Sequence, residues 1–336
     1  MNKIGLLAGI GLTIISASAF AEDYPDTTLR FAHSVAKTST SSAADAWVAD
    51  EVEKRSNGKV KFQMFWAGAA GAPSEIFDLL SNGAVDAAAI TPSWYAANLP
   101  LFSSLSSIPF SFPNMKSALK VAETLNMESE ALQKEAENAN MHVMRFAALN
   151  NYHAQCTSPL RTLADFKGKK IRSQGDYFPI IFDAVGAIPV TVLPGEFYES
   201  LQRGVVDCIV LPWDFLASNR LYEVAKFASD IDFGPIVGHA SVMNLDKWNS
   251  LEPSVQKLIM DVQKEAEPID VEAPTASAEE SLELILSNGV ELVHFEDQAA
   301  LEAAVPDLLE AWVSKMAEKG QGDAARAMVD RWKEVR

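Results

Sequence analysis

Apolar and polar positions change period repeatedly along this chain, and each change marks an element. "TTLRFAH" (27–33) alternates apolar and polar residues, the pattern of a strand with one buried face. The polar run "SVAKTSTSS" then offers hydroxyls to cap a helix, "AADAWVADEVEKRS", which Asn57-Gly58 stops. "KVKFQMFWA" predicts a second strand, "SEIFDLLSNG" a second helix and "AVDAAAIT" a short buried strand. The order β-α-β-α-β with short turns predicts an α/β chain with a doubly wound, parallel-type sheet, whose ligands bind at strand C-termini. Residues 98–114 carry Pro, Ser and Phe without period and predict an ordered loop. A helix over "MKSALKVAETLNMESEALQKEAENAN" and a strand over "MHVMRFAAL" follow.

The second half repeats this grammar. "DFKGKKIRSQ" predicts turn and strand, "YFPIIFDAVGA" a helix, "IPVTVL" a strand and "GEFYESLQRG" a helix. Two stretches are near copies: "NGAVDAAAITP" (82–92) and "RGVVDCIVLP" (203–212). In each, Gly closes a helix in the left-handed conformation, Val enters the core, and Asp is placed to accept backbone N–H groups at the strand start. Asp86 and Asp207 are therefore expected to build turns. Two similar α/β lobes follow, with the strand ends Thr91-Pro92-Ser93-Trp94 and Leu211-Pro212-Trp213-Asp214 facing each other across a cleft. The C-terminal third is helical, and Ser250–Gly289 predicts one long helix or two, punctuated by Pro268 and Pro274 and able to brace both lobes.

Composition narrows the reading. The chain has 336 residues, 48% of them apolar, enough for two domains with substantial cores. Its formal charge of −17 makes nucleic acid and anionic lipid poor partners, and poses a problem for any anionic ligand. The first 21 residues combine Lys3, the apolar "IGLLAGIGLTII" and an Ala19-Phe20-Ala21 cleavage site, the pattern of a cleaved secretory signal. That run is shorter than the about 20 residues a spanning helix needs, so the expected product is exported to the periplasm. Cys156 and Cys208 both sit in apolar, strand-like runs, which favours two buried thiols over a bridge. No G-x-S-x-G, H-E-x-x-H, Walker A or G-x-G-x-x-G motif occurs, and the five His lack metal-ligand spacing. No cofactor is implied.

"LADFKGKKIRSQG" followed by "AVGAIPVTVLPGEFYESLQRGVVDCIVLP" resembles the substrate-binding proteins of tripartite ATP-independent periplasmic (TRAP) transporters, the dicarboxylate-binding-protein-like (DctP-type) family. The resemblance rests on Asp165, Lys167, Gly168, Ile171 and Arg172, then Gly186, Ala187 and Pro189, then Glu196, Tyr198, Leu201, Gln202, Gly204, Val206, Asp207 and Pro212. It implies a two-lobed periplasmic binding protein with a sheet in each lobe, hinge strands and a long lobe-crossing helix. The implied lobes are 22–148 with 237–275, and 149–236 with 276–336. It also implies a small organic acid as ligand, TRAP membrane permease subunits as partners, and no enzyme activity.

In such proteins the Arg of K-I-R pairs with the ligand carboxylate, which places that role on Arg172. A guanidinium fork matches a carboxylate bidentately, so one desolvated Arg can select an anion within an acidic protein. The alternative for Arg172 is an ion pair with an acid such as Asp214. The chain departs from the family pattern where Leu211 replaces a polar residue before Pro212, and where Asn151-Tyr152-His153 stands near the place of a second Arg. The expected pocket walls are then Trp94, Trp213, Phe215 and Phe233, with Thr91, Leu211, Ser34 and Tyr152 as further contacts. These favour a monocarboxylate with an apolar or aromatic body. A zwitterionic compatible solute, a C4-dicarboxylate, an exported enzyme on the same fold, and a ligand-sensing subunit are the competing readings.

Overall fold

The computed structural model describes residues 23–193 and 195–336; the expected signal segment lies outside them. Among the described residues, no helix is long and apolar enough to cross a membrane.

Two sheets organise the chain. The first contains β1 (Thr27–Ala32), β2 (Val60–Phe65), β3 (Ala87–Ile90) and β4 (Met141–Leu149), and is completed later by β10. The second is built from β5 (His153–Cys156), β6 (Lys170–Ser173), β7 (Ile188–Thr191), β8 (Cys208–Leu211) and β9 (Phe227–Ser229), with β11 (Glu291–Val293) at its edge. The chain returns to the first sheet through β10 (Ile236–Asn244). The strand orders are β2-β1-β3-β10-β4 and β11-β9-β5-β8-β6-β7. Each sheet thus holds one parallel β-α-β-α-β unit, β2-β1-β3 or β7-β6-β8, flanked by an antiparallel strand, β10 or β5. The expectation of a parallel-type sheet holds for those units only. The antiparallel strands enter because the chain crosses between the sheets at 149–153 and 229–236; a third crossing, through the helices after β10, brings β11 alongside β9 in parallel.

The repeated stretches do the same work in both lobes. Gly83 and Gly204 have φ of 71° and 67°, the left-handed region that glycine tolerates best. Asp86 accepts the Arg30 N–H on β1 at 2.8 Å, and Asp207 accepts the Lys170 N–H on β6 at 2.8 Å. Each Asp backbone N–H donates to the carbonyl of that same residue. The two aspartates therefore pin a central strand to its parallel neighbour, as turn-builders should.

Cys156 and Cys208 form a disulfide, contrary to the expectation of free thiols. They are opposed residues of the antiparallel pair β5 and β8, with Cα atoms 4.1 Å apart. That register, invisible at a sequence separation of 52, decides the matter.

Ser129 breaks the helix expected over 115–140 into Met115–Glu128 and Glu130–Asn138, capping the second by accepting the Leu132 N–H. Pro268 likewise separates Pro253–Ala266 from the long helix Ile269–Ser287, which carries Pro274 internally. The long helix begins against the first lobe, where Asp270 meets Arg145 of β4, and packs farther along on helix Trp213–Ser218 of the second. The C-terminal helix Gly322–Val335 packs on helix Leu308–Glu318 and also on helix Met115–Glu128 of the first lobe. Trp332 stacks on Phe112 at 4.7 Å between ring centroids, and Arg331 pairs with Glu128 at 2.7 Å.

Candidate functional site

Both repeated strand ends open onto one cavity of about 700 Å³. Thr91, Ser93 and Trp94 line it from the end of β3, and Leu211, Pro212, Asp214 and Phe215 from the end of β8. The Ser/Thr-rich turn after β1, including Ser34 and Thr40, closes another side. Ser277, Ser281 and Leu284 of the long helix reach the cavity as well.

Arg172 stands on β6, which is paired with β7 and β8, so its position is held by both neighbours. It is 4% exposed, yet among the described residues no carboxylate pairs with it. Its guanidinium donates to the Val192 carbonyl at 3.3 Å and to Gln174 Oε1 at 2.7 Å, and lies 4.8 Å from the centre of the Phe197 ring. These neutral partners fix its direction without cancelling its charge. Burial pushes its pKa down to about 10. Gln174 also donates to the Tyr152 hydroxyl at 3.4 Å, so Tyr152 belongs to the same polar group, and burial pushes its phenol up to about 12.

Arg145 supplies the contrast. It is equally buried, but it donates to Asp45, to Asp270 and, at 2.8 Å, to Gln263. Burial works against charge on Asp45, yet Arg145 and His239 hold its carboxyl well below the usual range. Burial instead raises Asp270 to about 7 despite Arg145. Asp45 is therefore the principal counter-charge, and Arg145 is a structural ion pair tying the long helix to the first lobe.

The fold brings His33, Asp45 and His239 together, although the sequence has no metal-like spacing. Asp45 Oδ2 lies 2.9 Å from His239 Nε2 and 3.3 Å from His33 Nε2. His33 Nδ1 accepts the Val35 N–H, which turns Nε2 toward Asp45. Arg145 already occupies the other oxygen of Asp45. With Arg145 already neutralising the shared carboxylate, the cluster suits a structural charge network better than a cation site.

Of the expected contacts, Arg172, Trp94, Leu211, Thr91, Phe215, Ser34 and Tyr152 line the cavity. Trp213 does not: it is buried, stacked at 4.3 Å on the His153 ring. Phe233 is wholly buried beside Phe110, Phe178 and Phe182. Both are core because aromatic burial alone does not say which side of a strand end faces the cleft. The expected alternative ion pair between Arg172 and Asp214 is absent. Phe197, Gln174 and the His33–His239 floor were missed, and only the fold joins them to the site.

The profile of the family described as "Bacterial extracellular solute-binding protein, family 7" (DctP) matches residues 31–319. The 2,3-diketo-L-gulonate-binding periplasmic protein YiaO of Escherichia coli K12 is 24% identical over 300 residues, 88% of each chain. The ectoine-binding periplasmic protein TeaA of Halomonas elongata is 24% identical over 329 residues, 95% of this chain and 93% of that one. A TRAP periplasmic solute-binding protein from Desulfovibrio salexigens with bound orotic acid superposes with a TM-score of 0.80 at 23% identity, covering 92% of this chain and 99% of that one. One from Chromohalobacter salexigens with bound D-glucuronate gives 0.79 at 19%, covering 92% and 100%. With its paired α/β sheets and a cleft at their strand ends, the chain belongs to family 7 of the bacterial extracellular solute-binding proteins, the DctP-type binding proteins of TRAP transporters.

Proposed function

We propose that this protein captures an organic monocarboxylate in the cleft between its lobes and delivers it to the membrane permease of a TRAP transporter. The observation that carries the reading is Arg172: a buried guanidinium at a cavity, held by neutral groups and lacking an acidic partner. A ligand carboxylate supplies the missing anion, through charge-assisted hydrogen bonds of about 1.5–3 kcal/mol each. Arg172 is the one Lys or Arg among the described residues lining the cavity, which favours one carboxylate over two. Trp94, Phe197, Leu211 and Phe215, with Leu149 and Ile236, give the ligand body an apolar and aromatic surround. Contacts from both lobes to one ligand favour the closed arrangement by differential affinity.

The test is a thermal-shift screen of small organic acids against wild type and Arg172→Gln. Acids should raise the unfolding temperature of wild type and leave the variant unmoved. Equal shifts in both proteins would remove the carboxylate role from Arg172.

A further inference from the structure

Asp214 is the second charged residue lining the cavity. It sits at the start of helix Trp213–Ser218, is 9% exposed, and lines the same space as Arg172. Oδ2 accepts a hydrogen bond from the Thr40 hydroxyl, which reaches across from the first lobe. Oδ1 is buried and has no hydrogen-bond partner among the described residues. The Phe215 and Leu216 N–H groups both donate to the Pro212 carbonyl, and the Asp214 and Phe215 N–H groups help the carboxylate less than Thr40 does. Among the described residues, no Lys, Arg or His forms an ion pair with the carboxylate. Burial accordingly raises its pKa, and the Thr40 hydroxyl and the Asp214 and Phe215 N–H groups offset that only in part.

Among the described residues, the cavity is thus lined by one buried cation and one buried anion, each without a counter-charge and not paired with one another. Leaving either unpaired is costly, and the cost ends when a guest supplies the complement. A guest hydroxyl would satisfy Oδ1 but leave the charge, and Thr40 already provides a hydroxyl. A guest ammonium satisfies both. The overall charge of −17 adds a separate reason, because a guest with no net charge is not repelled by the acidic surface as a plain anion is.

We propose that Asp214 is a specificity-determining residue that binds a cationic nitrogen of the ligand, so that the cleft takes a zwitterionic acid with an apolar body. This rests on the carboxylate reading of Arg172. Matched triplets of small acids (2-amino, 2-hydroxy and unsubstituted, with aliphatic, cyclic and aromatic bodies) test it by thermal shift and calorimetry. Wild type should prefer the amino member of at least one triplet. Asp214→Asn should cut the preference for amino over unsubstituted by about tenfold to a hundredfold, the size of one charge-assisted hydrogen bond. Arg172→Gln should weaken all three members together, so the carboxylate reading stands or falls in its own arm. Should Asp214→Asn fail to fold by circular dichroism, the wild-type preference decides alone. Hydroxy or unsubstituted members binding wild type as tightly as amino ones, no amino member binding, or an unchanged preference in the folded variant would each overturn the proposal.

Discussion

Replacing Arg172 and Arg145 in turn separates a binding arginine from a structural one. Arg172→Gln removes a charge whose burial has brought its pKa well down from the ordinary arginine value, to about 10. Keeping that group charged at neutral pH costs the ligand-free fold about 3 kcal/mol, at about 1.4 kcal/mol per pKa unit. Against this stand hydrogen bonds to Val192 and Gln174 and the Phe197 contact, together about 2–3 kcal/mol. The terms nearly cancel, so ligand-free Arg172→Gln should keep wild-type stability to within about 1 kcal/mol, judged against the same magnitudes. Arg145→Gln leaves Asp45 and Asp270 buried without their cation and should cost about 3–5 kcal/mol. Urea unfolding, followed by tryptophan fluorescence on protein stripped of ligand by unfolding and refolding, measures both. If Arg172→Gln costs as much as Arg145→Gln, the distinction between the two arginines is wrong.

Removing the disulfide by Cys156→Ala with Cys208→Ala should lower stability by about 4 kcal/mol on the chain-entropy estimate for a separation of 52; calorimetric unfolding checks it, and an unchanged midpoint refutes it. Burial raises Glu135 from 4.5 to about 7, although its carboxylate accepts the Leu101 and Phe102 N–H groups. Between those values the native state keeps a proton that the unfolded chain releases, so stability falls as pH rises through the window. Glu135→Gln should flatten that slope, by up to about 3 kcal/mol across it, while Asp270, also raised to about 7, leaves a residual slope. Unfolding free energies measured at intervals from pH 5 to pH 8, about the span of the two titrations, decide it. Asp207→Asn should cost about 1–3 kcal/mol by weakening the acceptor for the Lys170 N–H, readable in the same unfolding assay.

What could be read from the chain was local. Gly83 and Gly204 announce helix ends because only a left-handed stop joins those helices to buried strands, and Asp86 and Asp207 follow from the same turn. Arg172 was visible through its neighbours Lys170 and Ile171 in a family pattern, and its burial without an acid was not. Trp213 and Phe215 lie two positions apart on one short helix, so hydrophobicity could not tell which faces the cavity. The disulfide depends on the register of β5 against β8. The meeting of His33, Asp45 and His239 depends on three segments converging beneath the cleft. Long-range register of this kind leaves no periodic trace in the sequence.

The most direct measurement is a crystal structure of the protein, purified from its native host, with a small acid bound. It should place the acid's carboxylate within about 3 Å of the Arg172 guanidinium nitrogens, an ordinary charge-assisted distance. A ligand bound with its carboxylate facing solvent, or in contact with the protein but away from Arg172, would contradict the account.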